Sequence, residues 1–198
     1  TLRQQDAKLG KILMKLEELG IRDNTLIIVT ADHGDELLEH GFIGHASTSW
    51  DTTVYDDLLN IPLVLSYPKK LPQGKRIEDQ VRMIDIMPTV LDIVDVPFSA
   101  EIQGKSFFPR IQEQEKFREF AFAETTPCGY SCPKRLEKNR LRAVRSNEWK
   151  LIEVYDHESG QTTYELYSLA DDPGETRNVI EEYPDIAEQL TQEMQRWK

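Results

Sequence analysis

The sequence predicts an α/β portion followed by a small antiparallel sheet that carries a terminal helix. Three observations predict it. Two short apolar runs, TLIIVT (25–30) and IPLVLSYP (61–68), stand among helix-like patterns on either side of a polar loop. Past residue 112 the pattern becomes a series of short strands split by turns. The last residues return to helical spacing. The chain accordingly divides into residues 1–112, an α/β portion, and residues 113–198, a small β subdomain with a C-terminal helix.

Each element has a local reason. Leu9, Ile12, Leu13, Leu16 and Leu19 recur at helical spacing, and Gly20 follows as a C-terminal cap. RDNT is turn chemistry. TLIIVT is nearly all apolar and β-branched, which predicts a strand buried on both faces, as in a parallel sheet. GFIGHASTSWDTTVYDDLLN reads as a polar loop, and IPLVLSYP as a second buried strand fenced by prolines. VRMIDIMPTVLDIV predicts a helix with Pro88 in its first turn, where a missing N–H costs nothing. EFAFAETTP reads as an edge strand. LRAVRS, EWKLIEVY and TTYELYSL read as a meander with HESGQ at one hairpin turn. PDIAEQLTQEMQRW closes the chain as a helix, with Ile186, Leu190, Met194 and Trp197 on one stripe.

Composition limits the partners. The 198 residues carry 35 acids against 24 bases, a net charge of -11. That balance argues against general binding to nucleic acid or anionic membrane. It permits an anionic substrate where a bound cation reverses the local field. No apolar run reaches membrane-spanning length. The chain opens on an amphipathic helix without an initiator Met, so it is expected to start partway through a longer product. Cys128 and Cys132, in PCGYSCPKR, are too few for a four-ligand zinc site and lack redox spacing. They read as a local disulfide or two ordinary thiols.

The chemistry concentrates in TADHGDELLEH (30–40). Asp32 and His33 lie just past the end of TLIIVT, where ligands gather in open α/β sheets. A carboxylate oxygen and a neutral imidazole there can both face a cation. Asp35, Glu36 and Glu39 have a simpler reading, as acids opening a helix at its positive end, with Glu36 and His40 pairing four apart. For Asp32 and His33 both readings stand on spacing alone. His45, in GFIGHAS, is either a surface histidine or a group that meets an anionic substrate or shuttles a proton.

The order of pieces resembles a known family. DNTLIIVTADHGDELLEHGFIGHAS, VYDDLLNIPLVLSYP, VRMIDIMPTVLDIVDV, IQGKSFFP, EWKLIEVY and YELYSLADDPGETRNVIEEYP are similar, in that order, to the sulfatases of the alkaline phosphatase superfamily. The resemblance covers nearly the whole chain. It implies the C-terminal part of an alkaline-phosphatase-like α/β domain, followed by the family's small sheet and last helix. Asp32 and His33 stand where the family has its second pair of metal ligands. The implied cofactor is a divalent metal: Ca2+ in most sulfatases, Mn2+ or Zn2+ in some phosphate- and phosphonate-cleaving relatives. His45 stands where many members have a lysine on the substrate's anionic group. His40, on the same loop, would support the site without touching substrate.

The resemblance also implies a first half. The family's nucleophile is a formylglycine made from Cys or Ser in C/S-x-P/A-x-R, or a Ser or Thr in phosphate-handling relatives. SCPKR (131–135) comes close, but Pro133 directly follows Cys132 and the stretch lies in the wrong part of the chain. The family's first metal-binding Asp pair belongs near an N-terminal strand. Neither Asp56 and Asp57 nor Asp171 and Asp172 stand there, and ADDPGE reads as a turn. The implied protein is therefore a metal-dependent sulfatase acting on a sulfated small molecule or glycan. The missing N-terminal half of the same polypeptide would supply the nucleophile, and the 198 residues alone would be inactive. Alternatives from the same residues are a phosphate or phosphonate ester hydrolase, a phosphoglycerol-type transferase, and a non-catalytic binding module. A periplasmic or secreted location follows only if a signal peptide lies upstream.

Overall fold

The computed structural model describes residues 2–45, 53–113, 119–125 and 139–197. Helix α1 (Leu2–Glu18) ends at Gly20, whose φ of 65° is the left-handed geometry expected of a cap. None of its residues is buried, and Ile12 and Leu19 are exposed. A 3-10 turn (Arg22–Asn24) then feeds strand β1 (Ile27–Thr30).

β1 pairs antiparallel with β4 (Leu63–Ser66), Ile28 opposite Leu65. This corrects the expectation of a parallel strand buried on both faces. An apolar β-branched run does not encode strand direction. Here the sheet has two described strands and one covered face, so Val29 and Val64 point outward, 36% and 57% exposed. Leu63 and Leu65, alternating with Val64, turn inward to a core of Leu71, Ile93, Phe107 and Ile111. Ile93 comes from α3 (Ile86–Ile93) and Ile111 from α4 (Phe108–Ile111).

α3 is shorter than its apolar pattern. Met83–Asp85 form a 3-10 turn, and Pro88 sits in the first helical turn as predicted. The shortening has a cause. Asp85 is fully buried and its carboxylate accepts hydrogen bonds from the Arg82 side chain and from the Lys105 N–H. That fixes the chain into a turn before the helix starts.

The acidic stretch departs further from expectation. Residues 36–44 form a small hairpin, β2 (Glu36–Leu37) with β3 (Ile43–Gly44), instead of the helix that Asp35, Glu36 and Glu39 suggested. Glu36 is almost fully buried and accepts a hydrogen bond from the Thr53 hydroxyl, a partner no helix-dipole argument supplies. Gly41 makes the turn with φ of 83°.

The second sheet matches the predicted meander. β5 (Ala121–Thr125), β6 (Asn139–Arg145), β7 (Trp149–Asp156) and β8 (Thr162–Ser168) run antiparallel in chain order, with β5 at an edge. Its two faces have different covers. Val144, Leu151 and Leu166 meet Ala187, Leu190 and Met194 of α5 (Pro184–Arg196). Ala143, Ile152 and Tyr167, on the opposite face, meet Val54 from the segment leading into α2 (Asp56–Leu59). The turn at ADDPGE is structural, as predicted: the Asp172 carboxylate accepts from the Thr176 and Arg177 N–H groups. Cys128 and Cys132 lie outside the described residues. Among the described residues, no helix is long and apolar enough to cross a membrane.

Candidate functional site

The site is built where β1 ends. Past Thr30 the chain turns over α2, and Gly34 donates its N–H to the Leu58 carbonyl at 2.9 Å. A Cβ on Gly34 would stand 1.8 Å from the Asp57 carbonyl oxygen, so only glycine fits this crossing. The crossing presents Asp32 and His33 on one side and leads Asp35 into the hairpin.

Asp32 is the most open of the group, its side chain 88% exposed against 43% for His33. The His33 Nδ1 lies 2.8 Å from the Gly34 carbonyl. A carbonyl only accepts, so in the neutral ring Nδ1 carries the proton and Nε2 presents a lone pair. That is the tautomer a metal-ligating histidine needs, with its orientation set by a backbone acceptor. Nε2 lies 3.8 Å from Asp32 Oδ2. The two predicted ligands thus offer one hard oxygen and one nitrogen within reach of a shared cation.

His45 joins from β3's end. Its ring lies 4.2 Å from that of His33, centroid to centroid, tilted by 39°. Its Nδ1 is 2.6 Å from Asp35 Oδ1. The carboxylate accepts, so Nδ1 donates, and fixing Nδ1 sets the direction of the opposite Nε2. Asp35 was missed as a site residue. Its only sequence signal was acidity before a presumed helix, and the ten-residue closure that brings it to His45 depends on the hairpin.

A second donor set overlaps the first. His33, Asp35 and His45 each offer one ligand atom, all within 4.8 Å of one another. Asp32 joins this group only through His33. Both sets fit a divalent cation through carboxylate and imidazole donors, and both leave coordination positions for further ligands.

His40 is placed apart. It is 10% exposed, stacks on Tyr55 at 3.7 Å and pairs with Asp57 at 3.3 Å. Its described neighbours are thus Tyr55 and Asp57 and none of Asp32, His33 and His45. Asp56 faces Arg145 and Lys150, and Asp57 lies beside His40. SCPKR lies outside the described residues; read from Ser131 in place of Cys132, it does satisfy S-x-P-x-R, which corrects its dismissal on spacing.

With this geometry in hand, the relatives are consistent. The chain is 27% identical over 199 residues to arylsulfatase K of Bos taurus, covering 96% of this chain and 34% of that protein. It is 29% identical over 184 residues to N-acetylglucosamine-6-O-sulfatase of Bacteroides thetaiotaomicron, covering 91% and 31%. The chain thus spans about a third of the length of the curated relatives it matches. Among solved structures it resembles BT4656 in complex with its substrate D-glucosamine-2-N,6-O-disulfate, with a TM-score of 0.77, 27% identity, and coverage of 99% of this chain and 38% of that one. It also resembles the phosphonate monoester hydrolase of Agrobacterium radiobacter, with a TM-score of 0.77, 25% identity, and coverage of 96% and 38%. A family model described as N-sulphoglucosamine sulphohydrolase, C-terminal, matches residues 46–198, just past His45. The chain belongs to the sulfatase family, as its C-terminal portion.

Proposed function

We propose that this chain is the C-terminal part of a metal-dependent hydrolase of sulfate esters, acting on a sulfated small molecule or glycan. One observation carries the reading: His33, with Nε2 turned toward Asp32, stands beside His45, whose Nδ1 is fixed by Asp35. Such a cluster suits a substrate that brings negative charge to a metal. Asp32 and His33 would hold the cation together with ligands from outside the chain. When bound, the cation supplies charge stabilisation at the sulfuryl oxygens. With a proton on each ring nitrogen, His45 would donate from Nδ1 to Asp35, which keeps the ring aimed, and from Nε2 to a non-bridging oxygen. Donors already aimed at developing charge need no rearrangement during reaction. Ca2+ is the expected metal by family resemblance. The imidazole ligand also suits Mn2+ and Zn2+.

The nucleophile is proposed to come from the N-terminal half of the same polypeptide, so the isolated 198 residues should be inactive. The test is turnover of a sulfate monoester by the intact protein, by His45→Ala and by Asp32→Asn. Both variants should lose roughly a hundredfold or more in kcat/KM, as removal of one aimed donor does elsewhere. Unchanged turnover in both would remove these residues from the site.

A second reading keeps the fold and changes the group under attack from sulfuryl to phosphoryl or phosphonyl: a phosphonate or phosphate ester hydrolase. The histidine in the ligand pair and the likeness to the phosphonate monoester hydrolase favour it. Faster turnover of a phosphonate monoester than of the matching sulfate would select it.

A further inference from the structure

A line of contacts runs from the site hairpin to the far sheet. His40, in the turn between β2 and β3, lies with its ring stacked on Tyr55, 3.7 Å apart and 15° from parallel. Its Nε2 lies 3.3 Å from an Asp57 carboxylate oxygen, without hydrogen-bond geometry. The Tyr55 hydroxyl donates to Glu165 Oε2 at 3.1 Å, and the Tyr167 hydroxyl donates to the same oxygen at 2.9 Å. Glu165 and Tyr167 stand two apart on β8, on the face that meets Val54. Burial, helped by the Glu165 charge and opposed by the Tyr167 hydroxyl, pushes the Tyr55 hydroxyl pKa up to about 12, so it stays a donor.

The hairpin needs such a hold. It has only two residue pairs in its ladder, far below what is stable alone. Leu38 sits at φ of 86°, a geometry rarely adopted by leucine, and strain of this kind persists only when surroundings impose it. Leu37, Leu38 and Ile43 are exposed, so the hairpin contributes few buried apolar contacts of its own. Besides the buried Glu36 of β2, His40 is the hairpin side chain that packs inward, 10% exposed.

We infer that the His40–Tyr55 stack, held by Glu165 on the small sheet, positions the hairpin that presents Asp35 and His45. His40 and Tyr55 are positioning residues, and the small sheet acts on the site through them. The inference rests on the reading of His45 as the contact to the substrate's anion.

The test uses the intact protein and the ring signals of its labelled histidines. Residues 33, 40, 45 and 157 are the four in this chain. His157 packs on Tyr155 at 4.8 Å and serves as an internal control. Tyr55→Leu removes the stack; Tyr55→Phe keeps it and removes the hydroxyl. In Tyr55→Leu the His33 and His45 signals should move while His157 stays. The kcat on a sulfate monoester should fall roughly tenfold to a hundredfold, the range for a small misplacement, with KM changed less. Tyr55→Phe cuts the stack from Glu165 but leaves it on His40, so the signals and kcat should move the same way as in Tyr55→Leu, and by less. If His157 moves in Tyr55→Leu, Glu165→Ala decides: His40 and His45 signals should shift without His157. Unmoved His33 and His45 signals, or equal loss in the Leu and Phe variants, would overturn the inference. The ring signals do not depend on turnover, so an intact protein that cleaves no sulfate ester refutes the sulfate-ester reading separately.

Discussion

The Lys150 ammonium lies 2.9 Å from the Asp56 carboxylate, across 94 residues of chain, and the lysine side chain is wholly buried. Lys150 also pairs with Glu175 at 2.8 Å, and Arg145 binds Asp56 at 2.8 Å. Two cations and two anions therefore close a neutral cluster between α2 and the small sheet. Removing one partner leaves a buried charge uncompensated. Asp56→Asn should cost about 3–5 kcal/mol in unfolding free energy, the range for breaking a buried pair. Replacing both partners, Asp56→Asn with Lys150→Met, should recover a large part of that loss. A denaturant-unfolding double-mutant cycle reads both.

The same cluster sets a pH dependence with two opposite signs. Burial would raise the Asp56 carboxyl, but the Arg145 hydrogen bond and the Lys150 charge outweigh it and hold the group below its usual value. The unfolded chain then binds more protons in that window. The contribution is complete above the unfolded value of about 3.9 and is lost as pH falls through the lower folded value. Glu175 runs the other way: burial, ahead of the attraction of Lys150, raises it. Its contribution is present below the unfolded value of about 4.3 and is lost as pH rises through the folded value. Stability against pH should therefore lose its acid-side fall in Asp56→Asn. It should lose its decline on the less acidic side in Glu175→Gln. Unfolding midpoints measured across pH check both slopes.

Asp35 should matter through His45 alone. Asp35→Asn keeps a side chain of the same size and can still accept at one oxygen, but it removes the charge that fixes Nδ1. The expected result is a fall in kcat of roughly tenfold or more, within the range for a positioned catalytic group, with unfolding unchanged. Combined with His45→Ala, Asp35→Asn should add little. Additive losses would mean that Asp35 acts elsewhere, for instance as a metal ligand within the His33, Asp35 and His45 set.

Gly34→Ala should damage fold and site together. The added Cβ meets the Asp57 carbonyl at 1.8 Å, a backbone atom that cannot swing away. Overpacking of this kind costs about 1–3 kcal/mol or more. Because residue 34 follows His33, turnover should fall further than stability does. A variant with wild-type unfolding and wild-type turnover would contradict the crossing described for this loop.

How much of this was legible in the sequence varies by element. The meander and the last helix were readable because strand alternation and the stripe of Leu190 and Met194 are local patterns tied to one covered face. β1 was placed in the chain but given the wrong partner direction, since IIVT carries no signal for it. The hairpin at 36–44 was not readable. Its acids satisfy helix electrostatics, whereas its fold depends on Thr53, Tyr55 and Gly34 contacts that sequence spacing cannot show. Asp32, His33 and His45 were singled out by their positions and given roles by resemblance, whereas the contact of Asp35 with His45 emerged only once the hairpin closed.

Ser131 offers a direct check on where the nucleophile resides. SCPKR carries S-x-P-x-R, yet it falls about a hundred residues after Asp32, the reverse of the family order. Ser131→Ala in the intact protein should leave sulfate-ester turnover unchanged. Abolished turnover, with unfolding unaffected, would place the nucleophile inside this chain and contradict the inactivity expected of the isolated 198 residues.

The central claim is sulfate-ester cleavage at a cation held by Asp32 and His33. The most direct measurement is the kcat/KM of the intact, metal-loaded protein on a sulfated glucosamine, beside the phosphate ester of the same alcohol, in wild type and in His33→Ala. The account predicts preference for the sulfate, and loss of both turnover and bound metal in the variant. Preference for the phosphate, or full turnover and metal content in His33→Ala, would contradict it.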